Sequence, residues 1–463
     1  MKRFWSGVFA FFLLFGMTFP GLSQTKSLNL GQCIKIALQA NPQVKNAYRQ
    51  INLAEGGITS ARATILPSIS GNASSARAIQ APSTFVQDVP IYINPITKKV
   101  TYAQREIIRG GYARNAHNLG VYLNQTIFDG GKWWNRIREA NANYRSVEWK
   151  YKATRQNIIL QVTQRFFELL KASQLLEVYE QSVKSTGEQY RKTQSMYEVG
   201  AVAQVDVYRA KVNLGLAKMN AIMQRNKVLI AKSNLNVTLG RNPGTPIELS
   251  NEKVGMEEFK GTAEDAKRQA FQMNANLKSF KEQISSYRYA IKVAKGDYLP
   301  QISARAGYSR FNTLFDRVYS TWDKNYGLNL SVSVNWNLFS GFQRAANVEH
   351  QNLNYLIAKE NFSDQQRLLL QSVEQAFMNL QAYRQIYDIN KENLKAAEED
   401  LRLATERYKV GSGTLLEVID AQVSLTKSKA TLVNTKYDNL IALAQLYDSM
   451  GIIEQKIMRL LKE

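Results

Sequence analysis

Proline placement constrains this chain more than any other feature. The nine prolines stand at 20, 42, 67, 82, 90, 95, 243, 246 and 300, so residues 96–242 and 301–463 contain none. Because proline removes a helix hydrogen bond and clashes with the preceding turn, these two stretches are free to form very long helices. Within them Val162, Leu169, Leu176, Val183, Tyr190 and Tyr197 recur every seven residues, and so do Val373, Leu380, Tyr387, Leu394, Leu401 and Tyr408. That seam predicts helices packed side by side along their length. Spans from about Lys132 to Val199 and from about Phe342 to Val410 would each run about 100 Å at 1.5 Å per residue, too long for a compact domain. Gly200 and Gly411 break them, and Val207, Leu214, Ala221, Val228 and Leu235, with Val418, Leu425 and Leu432, carry the same spacing into return helices. Each long helix thus belongs to a hairpin.

The two hairpins are copies of one plan. Ala37-Leu38-Gln39-Ala40-Asn41 resembles Ala270-Phe271-Gln272-Met273-Asn274, and Ile65-Leu66-Pro67 resembles Tyr298-Leu299-Pro300, both at an offset of 233. Phe128-Asp129-Gly130 matches Phe339-Ser340-Gly341, Tyr197 to Gly200 matches Tyr408 to Gly411, and Leu239-Gly240 matches Met450-Gly451, all at 211. The first copy therefore carries 22 extra residues between Pro67 and Phe128.

Between the helices the period falls to two. Leu328, Leu330, Val332, Val334, Trp336 and Leu338 alternate with Asn329, Ser331, Ser333, Asn335 and Asn337, the length and polarity of a tilted strand in a bilayer. Weaker partners lie at Leu119 to Ile127, Ile302 to Tyr308 and Ile69 to Ala78, which makes four strands, two per copy. A membrane barrel exposes no edge and needs about eight strands or more, so four strands that span a membrane must be completed by further copies of the chain. Residues 79–117, with Pro82, Pro90 and Pro95, read as a long loop, a structural insertion, and residues 312–325 as a short one.

Composition removes much chemistry. One cysteine, Cys33, and two histidines, His117 and His350, exclude zinc sites, iron–sulfur clusters and intrachain disulfides, so no metal site and no cofactor is expected. No nucleotide loop or nucleophile–base pair points to an enzyme. Met1-Lys2-Arg3, the apolar run Phe4 to Phe19 and the small residues ending at Ser23 read as an export signal cleaved after Ser23. Without Lys2 and Arg3 the net charge of +22 becomes +20. An exported protein rarely meets nucleic acid, and none is expected as a partner. The chain divides into the leader (1–23), a first repeat (24–240) with strands near 68–78 and 118–128, and a linker (241–261). A second repeat (262–451) follows, with strands near 301–311 and 327–338, and then a C-terminal tail (452–463).

Together these features resemble the TolC-like outer-membrane efflux family. The most specific segments are Tyr197 to Asp206 and Arg407 to Asp420, which resemble the family's two periplasmic hairpin tips. The resemblance implies a mainly α fold with a transmembrane β part. Duplicated helical hairpins of a homotrimer form an α-barrel in the periplasm, and four strands per chain contribute to one shared 12-stranded β-barrel in the cell outer membrane. It implies a passive exit duct for efflux or type I secretion, without catalysis, energised by an inner-membrane pump through a periplasmic adaptor. An exported coiled-coil structural or adhesive protein is the alternative; it accounts for the heptads but not for the alternating strand.

The resemblance also assigns residues. Glu417 and Asp420, three apart on one helix face, would line the pore aperture, up to six negative charges in a trimer; the first copy has Asp206 and Arg209 there, which can neutralise each other. Asp206 and Tyr408 match two members of the family's closing link, whereas the arginine position of that link is Gly413. Val199, Gly200 and Ala201, with Val410, Gly411 and Ser412, would form the adaptor-contact tips. Independently of the family, Lys132, Trp133, Trp134, Arg136, Arg138 and Arg145, with Phe342 and Arg344 as a weaker second version, place cations in the first turns of helices. The macrodipole opposes them there, so either outer-membrane lipid phosphates compensate this belt from outside, or it is a solvated basic face with two packed tryptophans.

Overall fold

The structure is a computed structural model; it describes residues 27–250, 256–320 and 322–459. The leader therefore lies outside the described residues. In chain order the elements begin with helices α1 (Leu30–Ala40) and α2 (Pro42–Ala63), then strands β1 (Ser68–Gln80), β2 (Ser83–Ile93), β3 (Val100–Arg109) and β4 (Tyr112–Phe128). The first hairpin follows, α3 (Lys132–Glu198) and α4 (Gln204–Thr238). The second copy runs α5 (Ala263–Met273), α6 (Ala275–Gly296), β5 (Gln301–Asn312), α7 (Phe315–Ser320), β6 (Tyr326–Asn335), α8 (Gln343–Lys409) and α9 (Leu415–Ser449), and α10 (Ile453–Arg459) closes the chain. The long helices have 67 residues each and the return helices 35 each, so the duplication read from the residues is matched helix for helix, and the copies differ only between their strands.

The chain forms two compact units. One comprises residues up to 47, 152–274 and 367–463 and is helical; the other comprises residues 48–151 and 275–366 and holds all six strands. In the helical unit the heptad positions make the core, with Val162, Leu169, Leu235, Val373 and Leu380 at most 2% exposed. The two copies close alike. Asn29 and Thr262 build capping boxes on α1 and α5, and Asn41 and Asn274 donate through Nδ2 to the carbonyls of Thr238 and Ser449. Gly240 and Gly451 end the return helices at φ +75° and +73°, pressed so close to Ala40 and Asn274 that a Cβ would stand 2.8 Å from backbone. Cys33 sits in this core, where burial pushes its thiol up to about 12, consistent with a small packed residue rather than a reactive one. The described part of the tail is packed down: Ile452, Ile453 and Ile457 are buried and Glu454 pairs with Arg155.

In the strand unit β1, β4, β5 and β6 form one antiparallel sheet in that order, with β1 and β6 at its edges. The four expected strands form this sheet, and a further pair, β2 and β3, is present among the described residues. Residues 79–117 are not a loop: β2 and β3 form a hairpin, and its pairing of Ser83 with Arg109 continues in register the pairing of Gln80 with Tyr112. The prolines that suggested a loop sit where strands tolerate them. Pro82 lies at the break between β1 and β2, Pro90 at the register shift, and Pro95 in the terminal turn. Residues 312–325 likewise contain the short helix α7.

Candidate functional site

The hairpin tips are built alike by glycine. Gly200, at φ +76°, ends α3 with amide bonds from Gly200 to Tyr197 (2.9 Å) and from Ala201 to Met196 (2.8 Å). Gly411, at φ +75°, ends α8 with the bonds Gly411 to Tyr408 (3.2 Å) and Ser412 to Arg407 (2.9 Å). Both satisfy orphan helix carbonyls by the glycine-dependent C-cap pattern. Beside each glycine stands an exposed valine, Val199 at 79% and Val410 at 77%.

The acids divide as follows. Thr414 caps α9 by accepting the Glu417 amide (3.3 Å), and Glu417 is then the first-turn acid that the macrodipole favours. Its carboxylate lies 3.4 Å from the Arg407 guanidinium. Glu417 is therefore not a bare charge. Asp420 is exposed and makes no ion pair among the described residues. In the first copy Asp206 and Arg209 pair at 3.8 Å. Gly413 leaves no side chain at the position the resemblance gives to an arginine; its amide instead donates to the Arg407 carbonyl (3.1 Å), and Arg407 donates to the Ser412 carbonyl (3.2 Å). The cation of this tip is Arg407, a residue the sequence reading passed over. It stands ten positions before Glu417, across the glycine turn, a spacing that a hairpin brings together.

Tyr408 packs against the cluster of Ala404, Val418 and Ala421. Its hydroxyl is buried without a hydrogen-bond partner. Burial raises the phenol above its ordinary value, the nearby Asp206 carboxylate adds to that, and the Thr193 hydroxyl opposes it. The Asp206 carboxylate thus bears on Tyr408 electrostatically, with no hydrogen bond between the two. Thr193 spends its own proton on the Gln189 carbonyl (2.9 Å).

At the strand-to-helix junction the reading of external compensation is corrected in part. Asp129 accepts the Trp133 amide (2.8 Å) at the start of α3, Lys132 pairs with Asp297 (2.8 Å) and Arg145 with Glu282 (2.8 Å). The chain's own carboxylates therefore offset the macrodipole and two of the cations. Asp129, three residues before the helix, is the ordinary sequence mark of such a start. In the second copy Arg344 donates to the carbonyls of Asn337 and Leu338 and stacks over Tyr298, so it too is occupied. Arg136 and Arg138 are exposed and make no ion pair among the described residues, and Trp134 is 58% exposed. Burial raises the Glu139 carboxyl above its ordinary value, and Arg136 opposes that rise.

Comparison with known proteins decides the family. The profile described as outer membrane efflux protein matches residues 33–241 and 267–452, one stretch per copy. The chain belongs to the outer membrane efflux protein family. Among curated relatives, the outer membrane protein TolC of Vibrio cholerae is 22% identical over 93% of this chain and 92% of its own length. TolC of Escherichia coli is 23% identical over 96% of this chain and 86% of its own length. Among solved structures, the CmeC outer membrane channel of Campylobacter jejuni superposes with a TM-score of 0.76 at 19% identity, covering 94% of this chain and 88% of that one. This member of the family thus has the fold of an outer-membrane channel and resides in the outer membrane. It is an efflux or secretion duct.

Proposed function

We propose that three copies of this chain form the exit duct of a tripartite efflux or type I secretion system, a passive conduit without catalytic activity. An inner-membrane pump supplies the energy and reaches the duct through a periplasmic adaptor. The observation that carries this reading is the open sheet β1-β4-β5-β6, with an apolar stretch on one face where Val332, Leu330, Ala306, Leu123 and Ile69 align, and with unpaired edges at β1 and β6. Unpaired strand edges cannot face lipid, and four strands are too few to close. Three chains supply twelve strands, and β1 of one chain completes β6 of the next.

Within this duct Asp420, with Glu417 partly offset by Arg407, lines the periplasmic aperture, and the Asp206–Tyr408 contact holds it shut. The exposed valines beside Gly200 and Gly411 give the adaptor an apolar foothold, since exposed apolar patches mark partner surfaces. Arg136, Arg138 and Trp134 face the lipid headgroups. The test of the assembly is the mass of the protein extracted from outer membranes in mild detergent. A trimer is expected, and a monodisperse, fully folded monomer would overturn the reading.

A further inference from the structure

Strand register determines which side chains share a wall of the barrel. On one face of the sheet Leu330 stands opposite Ala306, Ala306 opposite Leu123 and Leu123 opposite Ile69. On the other, Ser331 stands opposite Arg305, Arg305 opposite Asn124 and Asn124 opposite Ser68. In a membrane barrel the apolar face meets lipid and the polar face lines the lumen. Arg305 is therefore a lumen residue, midway along β5. It is exposed and makes no ion pair among the described residues. The four strands of the sheet contain no aspartate or glutamate at all. The other cation on the lumen face, Arg114 opposite Ala78, lies toward the far end of β4 from the helix junction.

The wall beneath Arg305 is shaped to hold it. Tyr122 stands opposite Gly307 and its ring lies along its own strand over Gly120, two strand glycines with no side chain to lift the ring. A Cβ on Gly307 would come within 2.8 Å of the ring and one on Gly120 within 2.7 Å of the hydroxyl. The Arg305 guanidinium rests over this ring, 4.8 Å from its centroid. A π face steadies a guanidinium without neutralising it, and leaves its N–H fork, the geometry that suits carboxylate, sulfate and phosphate, open to the lumen. An acid would have cancelled the charge.

We infer that Arg305 stacked on Tyr122 is an anion-binding station on the inner wall of the barrel, and that the exported cargo carries carboxylate, sulfate or phosphate groups. The inference rests on the trimeric-barrel reading, which places three such stations around one lumen. Twelve strands enclose a bore wider than the side-chain-filled eight-stranded barrel and narrower than a porin. The ring reaches across that bore at about 0.01 M salt, where the Debye length is about 30 Å, and only near the wall at about 0.1 M, where it is about 10 Å.

The test uses the purified full-length protein in planar bilayers, in a background carrying Glu417→Gln and Asp420→Asn so that the aperture does not mask the barrel. Reversal potentials in a dilute potassium chloride gradient are expected to show chloride preference. Arg305→Gln should lower the chloride-to-potassium permeability ratio about threefold, and Arg305→Glu should invert it. Citrate added on the barrel side should block the Arg305 protein. Arg305→Lys should keep most of the chloride preference yet weaken the citrate block, because the fork is lost while the charge remains. Conducting trimers whose permeability ratio and citrate block are the same with Arg305, Gln or Glu at this position overturn the station and leave the duct reading standing. Failure to form trimers overturns both.

Discussion

The Arg407 guanidinium lies 3.4 Å from the Glu417 carboxylate, the two joined across the Gly411 turn that ends α8 and starts α9. Both side chains are substantially exposed, at 60% and 41%, so the pair contributes at most about 1 kcal/mol to stability. Its importance is electrostatic. It removes one of the two second-copy acids from the unpaired charge of this hairpin tip, and Asp420 is what remains.

Arg407→Gln is therefore expected to strengthen divalent-cation block of the reconstituted channel about two- to threefold by releasing Glu417, with thermal stability nearly unchanged. Replacing Glu417 and Asp420 together by Ala should weaken both the block and the cation preference. Reversal potentials and calcium titrations in planar bilayers read both variants. If neither changes them, these acids do not line the constriction.

The Tyr408 hydroxyl is buried and makes no hydrogen bond of good geometry; the Thr193 hydroxyl and the Asp206 charge are the groups that bear on it. Removing an unsatisfied buried hydroxyl leaves no new polar group unpaired, so Tyr408→Phe is expected to hold or raise stability, by up to about 1 kcal/mol. Asp206→Asn, by contrast, removes the charge at the link and should raise the conductance of the closed channel several-fold. A closed state as tight as wild type in the Asp206 variant would exclude that carboxylate from the latch.

Long-range architecture was legible because it rests on periodicity and on breakers. The prolines and glycines delimit the long helices, and α3 and α8 end within one residue of the spans expected from them. The β2–β3 hairpin was hidden by the same signal, since Pro82, Pro90 and Pro95 interrupt a strand pattern without preventing an edge hairpin. Asp206 and Tyr408 could be brought together through the family resemblance, but Arg407 with Glu417 and Lys132 with Asp297 depend on side-chain reach. In the second of these pairs the partners stand 165 residues apart. No local pattern marks such a pair.

Because Lys132 and Arg145 are satisfied within the chain, dependence on anionic lipid is expected to rest on Arg136 and Arg138 alone. The Arg136→Gln, Arg138→Gln variant should lose the added heat resistance that wild-type trimers gain in anionic over neutral bilayers, and Lys132→Met should keep that gain while lowering stability in both lipids by about 1 kcal/mol through the lost Asp297 pair. Trimer melting in vesicles of the two compositions separates these outcomes. Equal melting of wild type in both lipids would remove the belt.

Asp448, in the last turn of α9, supplies a pH dependence with a definite sign. Burial pushes its carboxyl up to about 6 from an ordinary 3.8, and it makes no ion pair among the described residues. The matching position of the first copy is the apolar Val237. The folded chain holds this proton more tightly than the unfolded chain, so between about 3.8 and 6 the folded state binds more protons. Stability from this group is thus full below that window, falls as pH rises through it, and is lost above it. Asp448→Asn, which keeps the shape without the charge, is expected to stabilise the protein by on the order of 1–3 kcal/mol at pH 7.5 and by little at pH 4. Thermal melting of detergent-solubilised protein at the two pH values measures the difference. An equal melting point for wild type and variant at pH 7.5 would show that burial does not raise this carboxyl.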